Sequence, residues 1–112
     1  MPTSRTADRP YAIPPDAAFA IAAEALRTLF GSVSRIGPTT LEARSSLGWA
    51  SWGEIITVDV QAADGGSLAR VHSRSALPTQ FLDWGKHAKN LSQVFSAIDA
   101  GVGSASGPPF PS

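Results

Sequence analysis

The sequence predicts an α+β fold, a two-layer sandwich in which two helices cover one face of a four-stranded antiparallel meander. Three observations support this prediction. Apolar residues recur at the three-and-four spacing of a helix in residues 17–30 and again in residues 84–100, and apolar and polar residues alternate in the region between them. The element order is therefore α-β-β-β-β-α. Because the connections are short, both helices are expected to pack on the apolar face of the sheet.

The first helix is predicted at residues 17–30. The pair Pro14-Pro15 disfavours a helix before Asp16, which is well placed as an N-cap, and Gly31 supplies the stop. The many alanines allow this helix to lie close to a sheet. Its apolar stripe consists of Phe19, Ala22, Ala23, Leu26 and Phe30, widened by Ala18, Ala25 and Leu29.

Four segments show the period of two that is typical of strands: residues 32–36, 40–46, 54–62 and 68–75. In the clearest of them, Ile56, Val58 and Val60 point to one side. Residues 63–66, Ala-Asp-Gly-Gly, predict a hairpin turn because glycine tolerates positive φ. The opposite face of the sheet is predicted to be polar and to carry Glu42, Arg44, Thr57, Asp59, Arg70, His72 and Arg74.

The last helix is predicted at residues 84–100, with a stop at Gly101. Its apolar stripe consists of Leu91, Val94, Phe95 and Ile98. The predicted elements define one domain over residues 16–100. Residues 1–15 are rich in proline and are predicted to form a flexible tail, and residues 101–112, rich in Gly, Ser and Pro, are predicted to form a second one.

Composition disfavours several classes of protein. Nine Lys and Arg balance nine Asp and Glu, so the chain lacks the basic excess of a nucleic-acid-binding protein. There is no Cys, which excludes a disulfide framework and a Cys-rich zinc site. The most apolar stretch is too short and too charged to span a membrane. We therefore expect a cytoplasmic protein, and attachment to a membrane surface through a partner stays open.

Basic residues gather around the last predicted strand and helix. Three alternate on one face of the strand: Arg70, His72 and Arg74. Three more follow Asp83, the predicted cap of the helix: Lys86, His87 and Lys89. Lysine is unfavourable at a helix N-terminus, whereas free amide groups there bind anions, so the pattern predicts a site for a carboxylate, a phosphate or an acidic protein surface. The alternative is structural, with solvated side chains or ion pairs to Asp59 and Glu42 across the sheet.

Tryptophans are further candidates for binding. Trp49 and Trp52 lie in a Gly-flanked loop between two predicted strands, and Trp84 begins the last helix. Tryptophan is enriched at the energetic centres of protein interfaces, so the loop indicates a docking surface. The alternative is that one or both of its side chains cover the open end of a small core.

Two motifs flank the loop before the last helix. A strand ends in Ser73-Arg74-Ser75, and Asp83-Trp84-Gly85-Lys86-His87 opens the helix. With these motifs, the part of the chain over residues 16–100 resembles small bacterial domains of unknown function, whose pattern has Asn where this chain has His87. The resemblance implies a helix, an antiparallel meander and a second helix, and it implies no established activity.

The sequence shows no signature of catalysis. There is no Gly-x-Ser-x-Gly elbow, the two histidines lack the partners of a metal site, and Gly65-Gly66 closes a hairpin rather than a phosphate-binding loop. We expect no enzyme activity, catalytic residue, metal or cofactor. The favoured interpretation is a small accessory subunit or adaptor that docks another protein, or a second copy of itself, through its sheet, its Trp loop and its tails. The alternative is a domain that binds a small anion or a lipid headgroup with Arg74, Lys86 and Lys89.

Overall fold

The alternating segments in the middle of the chain pair into one sheet, and both helices lie on it. The computed structural model describes residues 4–45, 54–75 and 84–106. In chain order the elements are β1 (Ser4–Tyr11), α1 (Pro15–Phe30), β2 (Ser34–Arg35), β3 (Thr40–Ser45), β4 (Glu54–Ala63), β5 (Gly66–Ser75) and α2 (Trp84–Ser106). Within these ranges five strands form an antiparallel sheet in the order β1-β5-β4-β3-β2. The α+β class is confirmed, and the predicted count of four strands is wrong.

The additional strand is β1, in the segment that was predicted to be a flexible tail. It pairs with β5 over its whole length, from Ser4 opposite Arg74 to Tyr11 opposite Ser67. Its inward positions include Arg5 and Arg9, so it lacks the apolar alternation that marks a strand in a sequence. Pairing with a distant partner strand, rather than local pattern, therefore determines its structure.

The core lies between the inner face of the sheet and the helices. The sheet contributes Leu41, Ala43, Ile56, Val58, Val60, Ala69 and Val71. The helices contribute Ala18, Ala22, Ala25, Leu26, Leu91, Val94, Phe95 and Ile98. Helix α1 packs on β3, β4 and β5, helix α2 packs on β1 and β5, and the helices contact each other. Both helices thus cover one face of the sheet, as predicted.

Helix α1 begins before the predicted N-cap. Pro15 is its first residue and Pro14 is its N-cap, because proline fits the first helical turn, where no backbone N–H donor is needed. The Asp16 carboxylate instead accepts a hydrogen bond from the backbone N–H of Ala17 at 2.9 Å. Gly31 ends the helix as predicted, with φ of 87° and its N–H donated to the Arg27 carbonyl at 2.8 Å.

Helix α2 begins at Trp84, as predicted, and continues past the predicted stop at Gly101 to Ser106. Gly101 is a packing position. A Cβ atom there would lie 2.5 Å from Cγ2 of Ile21 on α1, so the missing side chain lets the helices approach closely. Residues 101–106 are therefore helical rather than part of a flexible tail, which moves the predicted domain boundary.

The β4–β5 hairpin turn lies where the sequence predicted it. Gly65 has φ of 78° and Gly66 has φ of 157°. A Cβ atom on Gly66 would lie 2.1 Å from the carbonyl oxygen of Tyr11 and 2.9 Å from the backbone nitrogen of Ile13. Gly66 therefore leaves space for the chain that joins β1 to α1.

The two edges of the sheet differ. Strand β2 contains only two residues and pairs with Glu42 and Leu41 of β3. Strand β1 forms the other edge with eight residues, which include the exposed Pro10 and the charged Arg5, Asp8 and Arg9.

Three side chains connect the edge strand β1 to helix α2. The hydroxyl of Tyr11 donates to Oδ1 of Asp99 at 2.7 Å, and Nη1 of Arg9 donates to Oδ2 of the same carboxylate. The Arg9 guanidinium also lies 4.6 Å from the ring centroid of Phe95. Asp99 therefore accepts two charge-assisted hydrogen bonds from a strand far away in the sequence.

Replacing Asp99 by asparagine should lower the free energy of unfolding by about 1–2 kcal/mol, because both of its hydrogen bonds lose their charged acceptor. The side chains of Arg9 and Asp99 are each 45% exposed, so most of this loss should come from the Tyr11 bond rather than from the ion pair. Urea denaturation measures the change. Glu24→Gln, which removes a surface pair with Arg27, is the control and should cost less than about 0.5 kcal/mol.

The ionisation of Tyr11 should make the protein less stable at alkaline pH. Partial burial and the hydrogen bond to Asp99 raise the pKa of Tyr11 above its ordinary value. Because the pKa of Tyr11 is higher in the folded than in the unfolded protein, Tyr11 contributes its full stabilisation below the unfolded-state pKa of ~10. This contribution is lost as the pH rises from there through the folded-state pKa. Tyr11 is the single tyrosine of the chain, so tyrosinate absorbance reports it alone. Tyr11→Phe should remove this part of the alkaline loss, and tyrosinate absorbance rising near pH ~10 in folded protein would contradict the prediction.

Candidate functional site

The face of the sheet turned away from the helices, here called the outer face, carries polar side chains in three rows that run across the strands. The first row is Asp8, Arg70, Asp59 and Thr40. The second is Thr6, His72, Thr57 and Glu42. The third is Ser4, Arg74, Ile55 and Arg44. The polar positions predicted for this face all lie on it, because strand alternation places them opposite the core residues.

In the first row the charges are compensated. Nε and Nη2 of Arg70 donate to the two carboxylate oxygens of Asp8 at 2.7 and 3.0 Å. The hydrogen bonds from Arg70 hold the pKa of Asp8 below its ordinary value, and the same contact raises the pKa of Arg70. The structural alternative predicted from the sequence included ion pairs from the basic residues to Asp59 and Glu42. Arg70 instead binds a residue of β1, which was not predicted as a strand.

Asp59 is held by three hydrogen bonds in the same row. Its Oδ1 accepts from the hydroxyls of Thr39 at 2.7 Å and Thr40 at 2.9 Å, and its Oδ2 accepts from Nε2 of Gln61 at 2.8 Å. Burial alone would raise the pKa of Asp59, but the hydrogen bonds from Gln61, Thr39 and Thr40 outweigh it and lower the pKa. The carboxylate therefore stays ionised and fixed in position.

In the second row, His72 connects β5 to β1. Its Nδ1 lies 2.5 Å from the hydroxyl oxygen of Thr6, directly opposite in the register. Which of the two atoms donates depends on the tautomer of the ring. This contact gives His72 a structural role at the junction of two strands.

The third row ends in two arginines on either side of an isoleucine. Arg44, Ile55 and Arg74, here called the arginine row, lie on β3, β4 and β5. Both arginines are exposed, whereas Ile55 is only 4% exposed although it is on the outer face. Among the described residues neither arginine forms an ion pair or a side-chain hydrogen bond. The sequence indicated Arg74, but not Arg44, as a candidate binding residue, because only the strand register shows that the two lie in one row.

Lys89 is not gathered with Arg74. Lys89 is exposed on α2, and its neighbour Asn90 is buried, with Nδ2 donating to Oγ of Ser73 at 3.2 Å. Ser73 faces the core and Arg74 faces outward, so Lys89 and Arg74 belong to opposite sides of the sheet. Of the predicted cluster of basic residues, Arg74 and Lys89 are therefore on two different surfaces.

The side chains of six other predicted site residues are not described by the structure. Trp49, Trp52 and Asp83 lie outside the described residues. Trp84, Lys86 and His87 lie in the first turns of α2, and their side chains are outside the part of the chain that is described. The prediction that these residues bind a partner stays a prediction.

A cavity of about 360 Å³ opens between α1 and the sheet. It is lined by Pro15, Asp16, Phe19, Arg35, Pro38, Thr39 and Val60. The Arg35 guanidinium lies 5.2 Å from the Phe19 ring centroid and donates to the carbonyls of Gly37 at 3.1 Å and Pro38 at 2.8 Å. The walls are thus mainly apolar, and Arg35 and Asp16 are the charged residues among them.

The described residues also bear on metals and membranes. Over residues 4–45, 54–75 and 84–106, no group of three or more His, Asp or Glu side chains lies close enough to hold a metal ion. In the same ranges, neither helix has the length and apolar character needed to cross a membrane.

No protein-family model matches this sequence, and no curated protein sequence matches it. Solved structures do. Protein MLL2253 from Mesorhizobium loti shares 13% identity with a TM-score of 0.60, over 90% of this chain and 97% of that one. Protein CV1439 from Chromobacterium violaceum shares 10% identity with a TM-score of 0.55, over 88% and 96%. Ara h 8.0201 shares 14% identity with a TM-score of 0.52, over 90% and 97%. At these identities the likeness shows the fold alone.

Proposed function

We propose that this chain is a non-enzymatic module that docks a partner protein through the outer face of its sheet. The observation that carries the proposal is a broad sheet face that the two helices leave uncovered and that presents its charges in ordered rows. Complementary charges across an interface fix the orientation of the partner and select it against others. The role of a small accessory subunit or adaptor follows from it.

The charges of the outer face suit recognition better than catalysis. Asp59 is ionised and held by three hydroxyl and amide donors, and Asp8 is paired with Arg70. A general acid or base works with a pKa near the operating pH and within reach of an enclosed substrate. The two carboxylates have lowered pKa values and are held by fixed donors, so they support binding specificity.

The proposal is tested by blocking the centre of the outer face. Thr57 is the middle of the second row, so Thr57→Arg should weaken binding at least about tenfold, whereas Thr28→Arg on the exposed side of α1 should not. Partners that co-purify with the tagged full chain are identified by mass spectrometry, and their affinities are measured with purified proteins. Sedimentation velocity covers the case of a second copy. A partner that tolerates Thr57→Arg and is lost with Thr28→Arg would contradict the proposal.

A second candidate function is the binding of a small anion or a lipid headgroup. The sequence suggested Arg74, Lys86 and Lys89 for it. Arg74 and Lys89 lie on opposite sides of the sheet, and the cavity beside Arg35 offers another location. Its volume is in the range of small-molecule sites, and its apolar walls suit a small organic molecule whose anionic group binds Arg35 and lies away from Asp16.

Thermal shift measurements with aromatic and aliphatic carboxylates and with glycerophosphate test this candidate. Arg35→Gln should abolish a stabilisation that the wild type shows, and Arg27→Gln on α1 should preserve it. If every stabilising ligand acts equally on Arg35→Gln, the cavity is not the site.

A further inference from the structure

The arginine row is the most sharply defined charged feature of the outer face. We infer that it binds an acidic, extended segment of the partner protein; this inference rests on the proposed docking through that face. The partner's chemistry then follows from the position, spacing and charge of Arg44 and Arg74.

The register fixes the spacing of the two arginines. Both lie directly opposite Ile55, one on each neighbouring strand. Adjacent strands are about 4.8 Å apart, so the two arginine backbones are about 10 Å apart. Ile55 between them is only 4% exposed, so the two exposed arginines are the part of the row that a partner can reach.

Charge complementarity selects an acidic occupant. Arg70 is neutralised by Asp8, whereas Arg44 and Arg74 have no ion pair within the described residues. Glu42 is the nearest outward acid on the strand of Arg44, two residues along, and no ion pair joins them in the described part of the chain. Guanidinium groups bind carboxylates through paired hydrogen bonds, so the row offers two such sites.

The shape of the charged region favours a protein segment over a membrane. The outer face also carries Glu42, Asp59 and Asp8 in the two rows beyond the arginine row. A flat anionic membrane would meet these carboxylates together with the arginines, and like charges would repel. An extended segment that lies across the strands covers the arginine row alone. Acidic residues two positions apart on such a segment point to the same side and lie about 7 Å from each other, within reach of two long arginine side chains whose backbones are about 10 Å apart.

A fluorescein-labelled peptide with two glutamates separated by one threonine is the probe, and its binding to the full chain is followed by anisotropy at low ionic strength. Arg44→Gln and Arg74→Gln should each weaken binding about threefold, and the double variant about tenfold. Arg44→Lys with Arg74→Lys should retain an intermediate affinity, because charge is kept and paired hydrogen bonding is lost. Arg27→Gln, a matched loss of charge on α1, should bind like the wild type.

Three results would overturn the inference: equal binding by the double glutamine variant, equal binding of a peptide with glutamines in place of glutamates, or stronger binding of phosphatidylserine vesicles or inorganic phosphate at the same residues. The proposed function fails separately. If a partner is lost with Thr57→Arg but is retained with the double glutamine variant, the docking face is supported and the arginine row is not part of it. If peptide binding needs the arginines but partner binding tolerates Thr57→Arg, the arginine row binds acidic segments and the proposed docking face is wrong.

Discussion

Replacing Gly66 by alanine should destabilise the protein by about 3–4 kcal/mol, whereas the same change at Gly65 should cost about 1 kcal/mol. Both glycines have positive φ, so both substitutions introduce backbone strain. They differ in their surroundings. A Cβ on Gly65 meets no atom within 4 Å, whereas a Cβ on Gly66 meets the Tyr11 carbonyl oxygen at 2.1 Å. Relief of that overlap requires movement of the backbone between β1 and α1.

Urea denaturation of the two variants measures this difference, and Gly65→Ala is the matched control for strain without overlap. Hydrogen exchange should show the loss of protection for Gly66→Ala first in β1, whose end contacts the hairpin. Equal losses of stability for the two variants would show that the hairpin tolerates a side chain at Gly66 and that the close approach of Tyr11 is unimportant.

Deleting residues 1–11 should remove a large part of the folding free energy, roughly 3 kcal/mol or more. The deletion leaves the edge of β5 without a partner strand and breaks the bonds of Asp99 to Arg9 and Tyr11. Deletion of a flexible tail would instead leave the free energy of unfolding unchanged, so the experiment distinguishes a paired strand from a tail.

Thermal and urea denaturation of the shortened chain test this expectation against the full chain. A synthetic peptide of residues 1–11, added in excess, should restore part of the stability because it can pair again with β5. The same peptide with Arg9→Gln and Tyr11→Phe is the control and should restore less. A shortened chain as stable as the full chain would contradict the strand assignment.

The sequence predicts elements well where the signal is local. The alternation of Ile56, Val58 and Val60 and the Asp64-Gly65-Gly66 turn identify the β4–β5 hairpin within a short stretch. The apolar stripes of the two helices are equally local. Strand β1 has no such signal, since Arg5 and Arg9 occupy inward positions, and Arg9 is accommodated there by Asp99 of α2. Its pairing depends on β5, more than 50 residues away in the chain.

The candidate site was only partly predictable for a related reason. Alternation alone placed Arg70, His72 and Arg74 on one face. The partners that distinguish them, Asp8 and Thr6, belong to β1, so the compensated and uncompensated arginines looked alike in the sequence. Arg44 joins Arg74 only through the register of three strands.

The borders of the sheet limit how copies of this chain can assemble. β2 offers two residues for pairing, and β1 presents Pro10, which has no N–H to donate, among charged neighbours. Growth by adding strands side by side into ribbons or fibres is therefore disfavoured. If copies associate through the proposed docking face, each contact occupies that face, so we expect association to stop at a pair even at high concentration.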